Sequence, residues 1–237
     1  DHAMSPYKQT SELSLVNNKA SAEPVVITNE LFELLTESYK IAEMSDGAFD
    51  ITYASVGYQY DYREKQRPDQ TSIESALKAI DYHAVILNEK NSTVRFSQPD
   101  VKIDLGGIAK GYAIDRSIDI LRRRGIEHAT VSAGGDSRVL GDKRGKPWMV
   151  GIKNPRGQEA IALTIPLTNS AISTSGDYER YFIDQTTGQR IHHILNPQTG
   201  HSSGELASVS VIGPRGFDTD PLSTTVFVLG AEKGLAL

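Results

Sequence analysis

Two short segments of the chain carry residue types that can hold a phosphate group and a metal ion. The first runs Asp104-Leu-Gly-Gly-Ile-Ala-Lys110, where two glycines allow close approach of a ligand and the lysine lies near the expected start of a helix. Backbone amides, a helix N-terminus and an ammonium group together favour a phosphate. A glycine-rich turn with a solvated lysine gives the same pattern, and the glycine spacing is not that of a Walker A loop.

The second segment runs Asp218-Thr-Asp-Pro-Leu-Ser-Thr224. Pro221 suits the first position of a helix, and Asp220 suits the N-cap before it. Asp220 and Thr224 then offer a carboxylate and a hydroxyl at one helix start, which are oxygen ligands that Mg²⁺ accepts together with water and phosphates. Taken alone, the segment is explained more simply as an ordinary capped helix.

A third segment contains two adjacent histidines, His192 and His193. Adjacent residues of a strand point to opposite faces, so only one of the two can face a site, and they do not form a metal pair. A single histidine is more often structural, but one that faces a phosphate can accept a proton near neutral pH.

The Gly135-Asp136-Ser137 string resembles the nucleophile segment of serine proteases. The glycines that should follow the serine are absent, and Arg138 stands in their place, so no oxyanion hole is indicated. A tight Gly-Gly turn after a strand explains these residues more simply.

Composition excludes several classes of function. The 237 residues include 30 acidic and 25 basic residues, for a net charge of −5, and no basic tail, which argues against a nucleic-acid-binding protein. The absence of cysteine excludes disulfides and thiol nucleophiles. No apolar run approaches the ~18 residues of a membrane-spanning helix.

The elements that must position these residues alternate irregularly between helix and strand, which predicts one α+β domain or two lobes too interwoven to separate from the sequence. Helices are expected from Thr28 to about Met44, from a capping box at Thr71 and Glu74 to Ile80, before Gly125, and again from about Gly230. Strands are expected over 101–105, 129–133, 148–153, 160–168, 189–195 and 206–213.

Taken in order, six segments resemble the ApbE family of FAD:protein FMN transferases. They are residues 4–17, 45–52, 104–115, 173–178, 193–200 and 220–224. The resemblance covers the whole chain as a single domain, residues 1–237, without the family's first strand and last strands. It implies an α+β fold related to the T-fold, with mixed, mainly antiparallel sheets flanked by helices.

The resemblance implies Mg²⁺-dependent transfer of FMN from FAD to a Thr or Ser hydroxyl of a target flavoprotein, with release of AMP. An FAD pyrophosphatase that yields FMN and AMP, and a non-catalytic flavin-binding protein, are the alternatives. The implied acceptor is a flavoprotein such as a subunit of a membrane redox complex. The implied location is periplasmic or otherwise extracytoplasmic, with membrane attachment only through an N-terminal lipid anchor that precedes this sequence.

The resemblance also implies roles for individual residues. The positions that contact FAD are Tyr7, Ala48, Phe49, Asp50, Asp104, Lys110, His193 and Ile194. The positions that bind magnesium are the main-chain carbonyl of Gly107 and the side chains of Asp220 and Thr224, with Ser223 nearby. For catalysis, Lys110 is expected to stabilise the phosphates, and His193 to take or orient the hydroxyl proton. Asp104 is expected to position the flavin or the groups around the site rather than act as a base.

Overall fold

The computed structural model of the protein describes residues 3–157 and 160–237. The chain divides into two compact units: a first unit of Asp1–Leu105 and Arg180–Ser203, and a second unit of Gly106–Glu179 and Gly204–Leu237. Among the helices of the described ranges, none combines the length and the apolar character that crossing a membrane requires.

Six α-helices are present among the described residues. They are α1 Glu12–Lys19, α2 Asn29–Met44, α3 Ala54–Gly57, α4 Gln70–Leu77, α5 Ala109–Arg123 and α6 Gly216–Ala236. The first four belong to the first unit, and α5 and α6 belong to the second unit.

Eleven strands form four antiparallel sheets among the described residues. They are β1 Val25–Val26, β2 Val85–Asn88, β3 Thr93–Phe96, β4 Ala129–Ala133, β5 Asp136–Leu140, β6 Trp148–Lys153, β7 Ile161–Leu167, β8 Ala171–Gly176, β9 Tyr181–Ile183, β10 Arg190–His192 and β11 Ser208–Gly213. The sheet orders are β1-β3-β2 and β10-β9 in the first unit, and β11-β8-β5-β4 and β6-β7 in the second. The expected mixture of helices and antiparallel sheets is confirmed.

Helix α2 begins as the sequence predicts. The Thr28 side chain accepts a hydrogen bond of 3.3 Å from the amide of Leu31, which satisfies one of the free donors of the first turn. Leu31, Leu34 and Leu35 are buried on one side of the helix, so apolar burial at helical spacing holds α2 in the core of the first unit.

The predicted capping box of α4 is wrong. The N-cap is Asp69, whose carboxylate accepts a 2.7 Å hydrogen bond from the Ser72 amide, so Thr71 lies inside the first turn. The helix also ends at Leu77, before the expected Ile80. Aspartate is at least as good an N-cap as threonine, and because it comes earlier in the chain, the helix begins there.

The predicted strand over 101–105 is also wrong, although its alternating apolar residues are buried. The Asn17 side chain takes the place of a neighbouring strand: its amide donates to the carbonyl of Ile103 at 2.9 Å, and its oxygen accepts from the amide of Ile103 at 2.8 Å. The Lys102 amide donates to Ser55 Oγ at 3.0 Å. The Asp104 amide donates to the backbone carbonyl of Ile51 at 3.0 Å, so side chains and one backbone carbonyl satisfy this buried segment without a sheet ladder.

Of the other predicted strands, four are present close to their expected bounds, as β4, β6, β7 and β11. The strand expected over 189–195 is shorter, because β10 ends at His192. The Gly-Gly turn is confirmed: Gly134 has φ +61° and joins β4 to β5, with Ala133 and Asp136 as facing residues.

Helix α6 begins earlier than the sequence predicts. It starts at Gly216, so Asp220 lies in its second turn and is not the N-cap, and Pro221 lies inside the helix. The cap comes from α5 instead: the two oxygens of Asp115 accept from the amides of Gly216 and Phe217 at 2.8 and 3.0 Å. A carboxylate at this position also compensates the positive end of the helix dipole.

A kink at Gly230, with φ +80° and ψ −179°, divides α6. The Ala231 amide donates to Glu205 Oε1 at 2.7 Å, so a second capped helix turn starts where the sequence indicates one.

Helix α6 packs against β8 and β11, and helix α5 packs against β4 and β5. The two helices also contact one another. This arrangement places Lys110, at the end of the first chemically suggestive segment, and residues 218–224, the second such segment, on neighbouring helices.

Candidate functional site

The centre of the second unit's candidate site is the close approach of α5 to α6. The Gly111 amide donates to Asp220 Oδ2 at 2.9 Å. A Cβ atom at position 111 would lie 2.0 Å from the carbonyl oxygen of Gly216 and 2.7 Å from Cβ of Asp220. Only glycine therefore allows the backbones to meet here, and this contact fixes the Asp220 carboxylate.

Lys110 lies between two buried carboxylates. Its ammonium nitrogen is 2.8 Å from Asp220 Oδ1 and 2.8 Å from Asp136 Oδ2. It also donates to the carbonyl of Gly106 at 3.2 Å. Asp136 is 1% exposed and Asp220 is 2% exposed. We call Lys110, Asp136 and Asp220 the acidic cluster.

Burial and the neighbouring charges shift the pKa values of Asp220 and Lys110 in the acidic cluster. Loss of solvent raises the pKa of Asp220 to about 6, because the Lys110 ammonium only partly offsets burial and the negative charge of Asp136 adds to it. Burial acts to lower the pKa of Lys110, but the two carboxylates outweigh it and raise that pKa above its ordinary value. With both carboxylates ionised, the cluster carries one uncompensated negative charge.

A row of hydroxyl groups joins β8 to α6 beside the acidic cluster. Ser175 Oγ lies 2.8 Å from Ser223 Oγ and 3.1 Å from Thr224 Oγ1. Ser173, two residues earlier on β8, lies 2.8 Å from Thr219 Oγ1. Alternate residues of a strand share a face, so both serines face α6. Helix α6 thus carries the carboxylate of residue 220 and these hydroxyls within consecutive turns.

The metal-binding positions implied by the resemblance all lie in the second unit. Asp220, Ser223 and Thr224 are on α6, and Gly107 is in the turn just before α5, next to Gly106. Within the described residues, there is no group of three or more His, Asp, Glu or Cys side chains that could hold a metal ion. A cation here would therefore depend on carbonyl and hydroxyl oxygens as well as carboxylates.

In the first unit, two tyrosines hold the Asp104 carboxylate. The Tyr53 hydroxyl donates to Oδ1 at 3.2 Å, and the Tyr58 hydroxyl lies 3.1 Å from Oδ2 and 3.0 Å from the carbonyl of Ile103. Burial and the nearby negative charge of Asp104 raise the pKa of both tyrosines. The phenols therefore stay protonated and act as donors that orient the carboxylate.

The Asp50 carboxylate is engaged within the first unit. Its Oδ1 accepts from the amide and the hydroxyl of Thr52 at 2.8 and 2.6 Å, and its Oδ2 accepts from the Tyr82 amide at 3.0 Å. Burial raises the pKa of Asp50 although these hydrogen bonds act to lower it. The side chain therefore caps the short 3-10 helix Ile51–Tyr53.

The structure separates the roles of the two histidines. His192 is 3% exposed; its Nδ1 accepts from the amide of Ile194 at 3.3 Å, and its Nε2 lies 2.6 Å from the carbonyl of Ser203. Both nitrogens thus have partners inside the first unit. His193 is half-buried, with Nδ1 3.3 Å from the carbonyl of Arg180. A carbonyl only accepts, so in the neutral ring Nδ1 carries the proton and Nε2 is the acceptor.

The remaining positions implied for FAD contact are also in the first unit. Tyr7 is 82% exposed, whereas Ala48, Phe49 and Ile194 are buried. In the second unit, the structure brings two of the predicted site residues, Lys110 and Asp220, to 2.8 Å from one another. The FAD-contacting, metal-binding and catalytic roles of all these residues remain predictions.

Sequence reasoning misses three residues of the second unit's site. The pattern assigns Asp136 to a turn, gives Asp115 no role, and does not identify Ser175 as a partner of α6. The signals are weak: an aspartate after Gly134-Gly135 and hydroxyls at alternate positions of the string Ser173-Thr-Ser175. Their significance depends on which helix lies opposite, and local sequence does not specify that.

Comparison with known proteins gives a consistent result. The model of the ApbE family matches residues 1–237. The FAD:protein FMN transferase of Haemophilus influenzae is 32% identical over 243 residues, which covers 98% of this chain and 70% of that protein.

Two solved structures are similar over nearly the whole chain. The ApbE protein from Thermotoga maritima has a TM-score of 0.89 and 38% identity, covering 96% of this chain and 74% of that one. The apo flavinyl transferase ApbE of Pseudomonas stutzeri has a TM-score of 0.86 and 30% identity, covering 100% of this chain and 74% of that one.

Proposed function

This chain belongs to the ApbE family, and we propose that it is an FAD:protein FMN transferase. In the proposed reaction, FMN moves from FAD to a Thr or Ser hydroxyl of a target protein, and AMP is released. The observation that carries the proposal is the buried acidic cluster at the crossing of α5 and α6, where Lys110 lies 2.8 Å from Asp220. Relatives named FAD:protein FMN transferase support the flavin chemistry.

The second unit fits a divalent cation such as Mg²⁺. Its acidic cluster has one uncompensated negative charge, and the Lys110 ammonium already occupies a position among oxygens of Asp220, Asp136 and Gly106. Carboxylate, hydroxyl and carbonyl oxygens are the ligands that Mg²⁺ prefers.

We assign the cation to the Asp220 carboxylate, the Thr224 hydroxyl and the Gly107 carbonyl, with Ser223 beside them. A bound Mg²⁺ would neutralise charge on the diphosphate and on the departing AMP.

The residues of the chain supply positioning and charge for phosphoryl transfer. Lys110 binds oxygens of the diphosphate through its ammonium group. The acceptor hydroxyl oxygen forms a bond to the FMN-side phosphorus, and the bond from that phosphorus to the bridging oxygen breaks, so that AMP leaves with the bridging oxygen. The products are a phosphoester of FMN on the protein and AMP.

His193 is the proposed acceptor of the hydroxyl proton. The Arg180 carbonyl at 3.3 Å from Nδ1 selects the ring form whose Nε2 can take a proton. Asp104, held by the hydroxyls of Tyr53 and Tyr58, is proposed to position the flavin and not to act as a base. Flavin contact by Tyr7 and Phe49 belongs to the same proposal.

The test combines FAD, Mg²⁺ and a peptide that bears an acceptor threonine, with the products followed by mass spectrometry. A gain of one FMN on the peptide, matched by AMP, is the expected result. Asp220→Ala should abolish AMP release, whereas Asp142→Ala, which removes a partly exposed carboxylate of the same unit, should not change AMP release. Free FMN without labelled peptide would indicate a pyrophosphatase, and unchanged FAD would indicate a binding protein; either result contradicts the transferase.

A further inference from the structure

Lys110 has two buried carboxylate partners where one would neutralise its charge. We propose that Asp136 is a positioning residue for the cation site: it retains the Lys110 ammonium when Asp220 binds a divalent cation. This inference rests on the proposed function, because it concerns the cation that the reaction uses. It assigns a task to a residue that neither the motifs nor the comparisons distinguish.

Asp220 has a second hydrogen-bond donor besides Lys110, and in the part of the chain that the structure describes, the Asp136 oxygen that pairs with Lys110 does not. Asp220 Oδ2 accepts from the Gly111 amide at 2.9 Å, and that bond survives if Lys110 moves away. Asp136 Oδ2 is buried and has no hydrogen bond within the described residues, so its ion pair with Lys110 is the contact that compensates its charge. Removing one partner of a buried ion pair is strongly unfavourable. The ammonium therefore leaves Asp220 more readily than it leaves Asp136.

The backbone of Asp136 is fixed between two neighbouring strands, so the residue does not shift to follow a departing lysine. It is the first residue of β5, directly after the Gly134-Gly135 turn, and it faces Ser173 of β8 and Ala133 of β4. A Cβ atom at Gly135 would lie 2.6 Å from the carbonyl of Thr174, so the turn packs directly on β8. The Asp136 carboxylate therefore keeps the Lys110 ammonium near Asp220, while the ammonium can break its contact with Asp220 Oδ1.

The consequence is an exchange of partners. In the structure, the Lys110 ammonium is shared between Asp136 and Asp220, at 2.8 Å from an oxygen of each. A cation at Asp220 replaces one of these contacts, and the other keeps the ammonium close to where a phosphate would bind. Without Asp136, Lys110 would remain on Asp220 and compete with the cation for the same oxygen.

Calorimetric titration with Mn²⁺ alone tests this exchange without any turnover. Asp136→Asn should weaken Mn²⁺ binding by about tenfold or more, since one charge of the pair is lost and Lys110 then stays on Asp220. Lys110→Met should tighten Mn²⁺ binding, because the competing ammonium is gone. Asp177→Asn is the matched control: it removes another buried carboxylate of the second unit, one paired with Arg156, and should leave Mn²⁺ affinity unchanged.

The double variant separates competition from direct ligation. If Asp136 acts through Lys110, Asp136→Asn weakens Mn²⁺ binding at least about fivefold more with lysine present than in the Lys110→Met background. Equal losses in both backgrounds would make Asp136 a ligand in its own right and overturn the inference. Unchanged affinity in Asp136→Asn, or no tightening in Lys110→Met, would also overturn it.

Folding and the proposed function are monitored separately. Circular dichroism and urea unfolding identify a variant that fails to fold. If Asp136→Asn does not fold, the absence of tightening in Lys110→Met still overturns the inference. Failure of the unaltered protein to bind Mn²⁺ would contradict the proposed function itself. A normal titration of the unaltered protein with no effect of Asp136→Asn would contradict only the role of Asp136.

Discussion

Replacing Gly111 by alanine tests the contact that positions Asp220. The new Cβ atom would lie 2.0 Å from the Gly216 carbonyl oxygen, 2.6 Å from its carbon and 2.7 Å from Cβ of Asp220. Two of these atoms belong to backbone, which cannot turn aside as a flexible side chain would. Helices α5 and α6 must therefore move apart, and the 2.9 Å hydrogen bond from residue 111 to Asp220 must stretch or break.

The size of the effect follows from that distance. Ordinary contact starts at 3.4 Å, so the carbonyl must retreat by roughly 1.4 Å from its place at 2.0 Å. Alanine favours a helix interior over glycine by about 1 kcal/mol, whereas overpacking of this kind costs about 1–3 kcal/mol or more. We expect a net loss of about 2 kcal/mol in the free energy of unfolding. A misplacement near 1 Å can lower the catalytic rate about 100-fold.

Urea unfolding and AMP release measure the two effects independently. Gly204→Ala is the matched control, because a Cβ atom at that glycine of the same unit would meet nothing within 4 Å. It should alter neither quantity. If Gly111→Ala is as stable and as active as the unaltered protein, the α5–α6 contact does not position Asp220 and the geometric argument fails.

Two further predictions concern buried carboxylates. Asp115→Asn weakens the cap of α6 and leaves Arg138, 2.8 Å away, without its ionic partner, so urea unfolding should show a loss of about 2–4 kcal/mol. Asp119→Asn, which changes a partly exposed carboxylate on the same helix, should lose less than about 0.5 kcal/mol, and equal losses in the two variants would refute the cap. The pKa of Asp50 is raised above 3.8 in the folded protein, so its contribution to stability is complete below that pH and is lost as pH rises through the folded-state pKa. Urea unfolding measures the free energy of unfolding of the unaltered protein minus that of Asp50→Asn between about pH 4 and about pH 7. This difference should fall as pH rises, and a rise would contradict the raised pKa of Asp50.

Local sequence patterns predict much of the fold, since they depend on neighbours along the chain. Helix α2 follows from a threonine cap and apolar residues at helical spacing, and the β4–β5 turn follows from Gly134-Gly135. The segment 101–105 has the alternation of a strand but pairs with the Asn17 side chain. Strand β8, rich in hydroxyl residues, lacks the apolar alternation that predicts a strand. Whether segment 101–105 and β8 become strands depends on partners that are distant in the sequence.

In the candidate site, too, some features could be predicted from neighbouring residues in the sequence, and others depend on residues that are distant in the chain. The types of Lys110, Asp220 and Thr224 are compatible with phosphate and cation chemistry, but each segment alone is explained as simply by a glycine-rich turn or a capped helix, and the prediction of a common site comes from the family resemblance. The start of α6 could not be predicted, because the carboxylate that caps it is Asp115, about a hundred residues earlier in the chain. Asp136 has the sequence context of a turn residue, because its charge becomes significant only when β5 brings it to 2.8 Å from the Lys110 ammonium.

The central claim is that Asp220 holds a cation for the FAD diphosphate, and the affinity for FAD with and without Mg²⁺ tests it most directly. Calorimetry at low temperature measures the affinity for FAD in the unaltered protein and in Asp220→Asn. AMP is measured in the same samples to show that FAD is intact. We predict that Mg²⁺ tightens FAD binding at least about tenfold in the unaltered protein and has no effect in the variant. An equal effect of Mg²⁺ on both proteins would place the cation elsewhere and contradict the account.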